Sequence, residues 1–168
     1  MLDIRPAIAA DIHEVHALIE RAYRGEASRA GWTHEADYLS SPRTDAATLA
    51  AIIAAPAETM LLGSVDDRIV GCVQISDKRD SLAYMGFLAV EPVGQASGIG
   101  KTMIAAAEDY ARGFGATRME MTVVDRRDTL IAYYERRGYA LTGEARPFPV
   151  ELVEPGPPLA FVVLAKAL

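Results

Sequence analysis

The stretch from Tyr84 to Phe114 constrains this chain most. An apolar run, Tyr84 to Val90, stops at Glu91-Pro92. A turn follows, Gln95-Ala96-Ser97-Gly98-Ile99-Gly100-Lys101-Thr102. It leads into Ile99, Met103, Ile104, Ala107, Tyr110 and Phe114, which recur at helical spacing. A strand therefore ends, the chain turns over glycines, and a helix begins. The first N–H groups of a helix lack partners within it, and the helix dipole favours negative charge there. Gly98 and Gly100 carry no side chain to block close approach. The unit is predicted to be an anion site, with phosphate as its natural occupant.

Spacing separates the nucleotide-binding turns that could produce such a site. A nucleoside triphosphate loop needs a glycine five residues before Gly100-Lys101-Thr102, and that position is Gln95. A dinucleotide fingerprint needs a third glycine where Met103 stands, and it belongs early in a βαβ unit.

The 168 residues suit one domain over 1–168 with a full-sized core. About half are hydrophobic and 24% are charged, an ordinary globular balance. A net charge of −6 argues against nucleic acid as the main partner. Cys72 is the single cysteine, so no intrachain disulfide or cysteine-based zinc site is expected. It reads as a packed thiol. His13 and His16 read as surface histidines, and no metal site is expected. No signal core or membrane-length apolar run is present, so no membrane partner is expected and the default location is cytoplasmic.

Read in order, Leu2 to Arg5 is a short strand. Asp11 and Glu14 look like a capping box for a helix through Tyr23, ended by Gly25. Residues 25–44 form an irregular segment carrying Trp32, which either lines a substrate pocket or anchors the loop. A helix spans Asp45 to Ala55. Thr59–Val65, Ile69–Ser76 and Tyr84–Val90 form an antiparallel meander. The glycine-turn helix then crosses over to a parallel strand, Ala116–Val124. A helix Arg127–Arg137 stops at Gly138, and Tyr139–Thr142 is a strand. The proline-rich residues 143–158 form a loop before a last strand, Leu159–Leu164. The expected fold class is α/β (α+β), one mixed sheet flanked by helices in the order β-α-α-β-β-β-α-β-α-β-β.

Two segments carry a resemblance. Val90-x-Pro92 followed by Gln95-x-x-Gly98-x-Gly100 resembles the pyrophosphate loop of the GNAT family of N-acetyltransferases. Tyr134-Glu135-Arg136-Arg137-Gly138-Tyr139 resembles the same family's tyrosine segment. With the element order, the resemblance runs along the whole chain. It implies acetyl-CoA as acyl donor and a small-molecule or peptide primary amine as acceptor, attacked directly. Leu88, Ala89 and Val90 would exchange backbone hydrogen bonds with pantetheine, in the manner of an added strand. Gln95, Ala96, Ser97, Gly98, Ile99, Gly100, Lys101 and Thr102 would hold the pyrophosphate. Tyr134 would be the general acid facing the sulfur. Tyr133 is assigned to packing. A homodimer is compatible with the family.

The chain departs from the family pattern in places. Ser97 replaces a basic residue, with Lys101 available to compensate, and Arg127 stands where an asparagine is common. The central strand holds no carboxylate, so base candidates lie elsewhere: Glu35 and His34 in the Trp32 loop, Glu120, and Asp125. Trp32, Glu35, Arg43 and Arg146 are candidate substrate contacts; the two arginines either hold a substrate anion or are solvated. Two other readings stay open, an acyl-CoA-binding sensor or partner module without turnover, and a triphosphatase-like protein built on Gly100-Lys101-Thr102.

Overall fold

The computed structural model describes residues 1–24, 42–95, 97–148 and 159–168. Seven strands form one sheet: β1 (Asp3–Pro6), β2 (Glu58–Val65), β3 (Arg68–Asp77), β4 (Leu82–Val90), β5 (Arg118–Val124), β6 (Ala140–Pro147) and β7 (Ala160–Ala167). Their spatial order is β1-β2-β3-β4-β5-β7-β6. The described helices are α1 (Ile12–Tyr23), α2 (Ala46–Ala54), α3 (Ile99–Gly113) and α4 (Asp128–Glu135). The order along the chain is the expected one.

Alternation within the strands sends side chains to two cores. Met60, Leu62, Cys72 and Ala89 point to one face, where Val15, Leu18 and Ile19 of α1 and Leu49 of α2 cover them. Leu61, Val73, Ile75, Met85, Met119 and Met121 point to the other, under Met103, Ile104 and Ala107 of α3 and Tyr134 of α4. Each large apolar side chain fully buried in this way is worth about 1.5–3 kcal/mol.

Among the described strands β4 and β5 are the one parallel pair, and they part early. Pairing runs through Leu82↔Arg118, Ala83↔Met119 and Tyr84↔Glu120 and then stops. Beyond it, β4 keeps to β3 while β5 keeps to β7 as far as Val124↔Phe161. A wedge opens in the middle of the sheet. β4 also bulges: two steps along β3, Cys72 to Gln74, are matched by three along β4, Ala89 to Gly86. Phe87 sits in this bulge with φ +44. A bulge bends its strand and re-aims side chains, here at the edge of the wedge.

Local structure departs from the sequence reading in three places. Asp11 does not cap α1 through its side chain. Its carboxylate instead accepts two bonds from Arg5 and one from the Ile8 amide, all at 2.8 Å. The intervening 3-10 turn, Ala9–Asp11, takes the capping role that the pattern assigned to the helix. Glu14 reaches across to accept from the Ile69 amide at 3.3 Å. Finally, residues 143–147 continue as strand β6 rather than loop. A register shift between Leu141 and Ala145 accommodates the chain, and Pro147 is tolerated because β6 is an edge strand.

Candidate active site

α3 begins where β4's extension turns back. Gly98 is its N-cap at φ +88, a left-handed conformation that an L side chain adopts only under strain. A Cβ added there would meet nothing within 4 Å, so open space lies above the turn. Gly100 differs, because a Cβ there would come within 2.9 Å of the Tyr133 hydroxyl. Gln95 ties the turn back to the strand, with Nε2 donating to the Val90 carbonyl at 3.2 Å. Ser97 Oγ donates to the Gly94 carbonyl, and Thr102 Oγ1 to that of Gly98 at 3.2 Å. Both hydroxyls are spent on local geometry.

A cavity runs from this turn into the wedge. Of the residues singled out from the sequence, Leu88, Ala89, Val90, Gln95, Gly98, Gly100, Lys101, Arg127 and Tyr134 line it. Ser97, Ile99 and Thr102 belong to the turn without lining the cavity. Ala96, Trp32, His34 and Glu35 lie outside the described residues. Tyr23, Leu130, Tyr133 and Arg137 also line the cavity, and the sequence reading does not place them in the site. Tyr133, assigned there to packing, reaches the cavity because α4 lies along the wedge with two adjacent residues turned towards it. Arg137 is one turn beyond Tyr133. Its guanidinium lies 3.4 Å from the Tyr133 ring centroid, and Nη1 donates to the Tyr133 carbonyl at 2.9 Å. The i, i+4 spacing of Tyr133 and Arg137 is the signal in the sequence that points to the pair.

The electrostatics are one-sided. Lys101, Arg127 and Arg137 line the cavity, and no carboxylate does so among the described residues. A chain of net charge −6 thus gathers cations along this cavity. A polyphosphate is what such a field attracts.

Tyr134 sits at the inner end of the cavity, 6% exposed. Burial pushes its phenol well above the ordinary tyrosine range, with the neighbouring Tyr23 adding to the effect. The hydroxyl therefore stays protonated. The edges of two other rings hold it, Tyr133 at 5.5 Å and Tyr139 at 6.1 Å between centroids. Tyr139 is itself fixed by donating to Glu108 Oε1 at 2.9 Å, and Lys166 Nζ holds both oxygens of that carboxylate at 2.9 Å.

A second cavity enters the wedge between the bulge and β5. Arg43, Tyr84, Phe87, Thr122 and Phe161 line its outer part. Tyr23, Leu88, Arg127, Leu130 and Tyr134 line both cavities, so the two meet at these residues. The Tyr84 and Thr122 hydroxyls, 2.9 Å apart, bridge the wedge just past the last parallel pair. Tyr23 Oη donates to the Leu88 carbonyl at 2.6 Å, joining α1 to the bulge. Two predicted residues lie apart from both cavities: Glu120 and Arg146 pair with each other at 3.1 Å, and Arg146 also holds Glu144 at 2.8 Å. Asp125 likewise lines neither cavity. Among the described residues no group of acidic, histidine or cysteine side chains could hold a metal ion, and no helix is long and apolar enough to cross a membrane.

Solved structures share this fold. The structure of the ribosomal-protein-S18-alanine N-acetyltransferase from Escherichia coli superposes with a TM-score of 0.76 at 15% identity, over 99% of this chain and 94% of that one. The putative acetyltransferase yncA from Salmonella typhimurium, solved with its cofactor acetyl-CoA, gives 0.74 at 19% identity over 100% and 94%. The IAA acetyltransferase from Bacillus cereus gives 0.71 at 14% over the full length of both chains. At these identities the likeness is one of fold. No curated protein matches the chain by sequence. The family model described as acetyltransferase (GNAT) family matches residues 12–139, most of the chain from α1 to the end of the tyrosine segment. With the split parallel pair and the glycine turn at its mouth, that match makes the chain a member of the GNAT acetyltransferases, a family of acetyl-CoA-dependent acyl transfer.

Proposed function

We propose that the protein moves an acetyl group from acetyl-CoA to a primary amine, which attacks the thioester directly without a covalent enzyme intermediate. The observation that carries this is the meeting of two cavities at Tyr134 inside the split between β4 and β5. The first suits the donor. The α3 N-terminus and Lys101, Arg127 and Arg137 favour its phosphates, and the inner edge of β4 at Leu88–Val90, which no described strand pairs and whose Leu88 and Val90 carbonyls accept side-chain bonds from Tyr23 and Gln95, suits an extended amide chain. The second cavity reaches the same tyrosine from the other side and suits the acceptor. Acetyl-CoA supplies the activated acyl group. Tyr134 holds a proton for the departing sulfur, a role that its buried, protonated phenol favours.

Among the described residues, neither cavity is lined by a carboxylate or an imidazole. Deprotonation of the amine therefore falls to a solvent path or to Glu35 or His34, which lie outside the described residues; Glu120 and Asp125 line neither cavity and would act only through a relay. The same observation favours a second reading, an acyl-CoA-binding module without turnover. Thiol release in a broad amine screen separates the two. Replacing Tyr134 by Phe is expected to lower kcat about 100-fold or more while CoA affinity stays nearly unchanged. Unaltered turnover removes Tyr134 from the mechanism.

A further inference from the structure

The acceptor cavity carries charge that catalysis of acyl transfer does not need. Arg43 lines it, and Arg43 is built in place. Its own amide and that of Thr44 donate to Glu20 Oε1 on α1, at 2.7 and 3.0 Å. His16 Nε2 lies 3.1 Å from the Thr44 carbonyl. These bonds anchor the backbone and let the side chain reach the cavity. The guanidinium lies over two rings, 4.4 Å from the Phe87 centroid and 5.2 Å from that of Tyr23. Both rings are themselves fixed: Phe87 by the β4 bulge, and Tyr23 by its bond to the Leu88 carbonyl.

Ring faces orient a guanidinium without consuming its N–H groups. Among the described residues no carboxylate pairs with Arg43, although Arg5, Arg21, Arg112 and Arg146 all have acidic partners. The second cavity also contains no acidic side chain among its described lining residues. A fixed fork of donors in a half-enclosed cavity with no acid among its described lining residues matches an oxyanion that arrives with the ligand.

We infer that the acceptor is a primary amine carrying its own oxyanion, a carboxylate or a phosphoryl group, and that Arg43 is the specificity-determining residue that holds it. This rests on the reading of the second cavity as the acceptor site. It disfavours polyamines and other polycations, which would meet like charge at Arg43, and favours amines of amino-acid type.

The test is binding to the CoA-saturated protein, measured by calorimetry. The probes are matched sets built on each proteinogenic side chain: the amino acid, its carboxamide, its decarboxylated amine and its aminophosphonate. For the side chain that binds best, the two oxyanion members should bind about 10- to 100-fold tighter than the two that lack the oxyanion. Whichever of carboxylate and phosphonate binds tighter identifies the anion. Arg43→Gln should abolish that preference and leave CoA affinity unchanged, with thermal stability lowered by no more than the loss of the two ring contacts, because the backbone bonds of residue 43 to Glu20 remain. Arg43→Glu should reverse the preference towards the decarboxylated amine. Equal binding within every set, or a preference that survives Arg43→Gln, overturns the inference. Thiol release recorded with the same probes is a separate readout: oxyanion-selective binding without thiol release counts against turnover and leaves the Arg43 assignment standing.

Discussion

Gly98→Ala tests the donor half of the site with a built-in control. Gly98 has φ +88, and a Cβ there would meet nothing within 4 Å. The substitution therefore creates no clash, and its stability cost is backbone strain, about 1–2 kcal/mol. For a domain of this size that is about 2–8 °C in Tm. Gly115, at the far end of α3, has φ +92 and equally open surroundings. Gly115→Ala should cost the same stability. The two variants should differ only in ligand binding, since only the methyl group added at Gly98 enters the space above the helix start. Acetyl-CoA at 100 times its Kd should stabilise the wild type and Gly115→Ala by about 2.7 kcal/mol. If the methyl group weakens binding 100-fold, the same concentration stabilises Gly98→Ala by only about 0.4 kcal/mol. Differential scanning fluorimetry with and without acetyl-CoA reads both quantities at once. An equal ligand-induced shift in all three proteins refutes the pyrophosphate assignment. An equal loss in both variants shows that general strain, not occupied space, is responsible.

Other consequences are simpler to read. Burial holds the Tyr134 phenol protonated above the ordinary range, so kcat should show no falling limb on the alkaline side up to about pH 10; a limb in that region that Tyr134→Phe removes contradicts the burial argument. Cys72 is fully buried, its thiol pushed up to about 12 by desolvation, with Sγ donating to the Phe87 carbonyl at 3.4 Å. A disulfide reagent should consequently titrate no thiol in the native protein and one after denaturation, even at mildly alkaline pH; fast native labelling refutes this. The carboxyl of Asp11 is held below its ordinary value, first by its hydrogen bond to Arg5. Stabilisation from that shift is full above the unfolded value and disappears as pH falls through the lowered native one. Asp11→Asn should accordingly cost about 0.5–1 kcal/mol in urea unfolding at neutral pH and nothing in strong acid; a cost that persists in acid excludes the ionic part.

Local signals that depend on a few neighbouring residues were legible. The element order follows from periodicity and from turn residues, and α3 begins at Ile99, one residue past the start expected at Gly98, which serves as its N-cap. α2 begins one residue past the expected Asp45, whose carboxylate caps it by accepting from the Thr48 amide at 2.7 Å, a bond that closes within three residues. Asp11 shows the limit of local spacing. Its distance to Glu14 along the chain fits a capping box, yet Arg5 on β1 competes for the carboxylate and wins with two charge-assisted bonds. Strand β6 is longer than its sequence suggests for a related reason. Prolines argue against central strands, and only the sheet order reveals that β6 is an edge.

What the sequence determined by itself was the glycine turn between strand and helix, the tyrosine segment and the family to which both point, because each is a contiguous pattern read from neighbouring residues. The tertiary structure decided where those patterns meet. β4 and β5 are parallel strands that part after Tyr84↔Glu120, and no local pattern encodes that divergence. It arises from the β4 bulge together with the allegiance of β5 to β7. Tyr23 from α1, Arg43 before α2, Phe87 from the bulge and Arg137 after α4 gather around the opening, although they are far apart in sequence. Their proximity depends on long-range pairing and packing, which fix the geometry of the second cavity and which residue spacing along one chain cannot express.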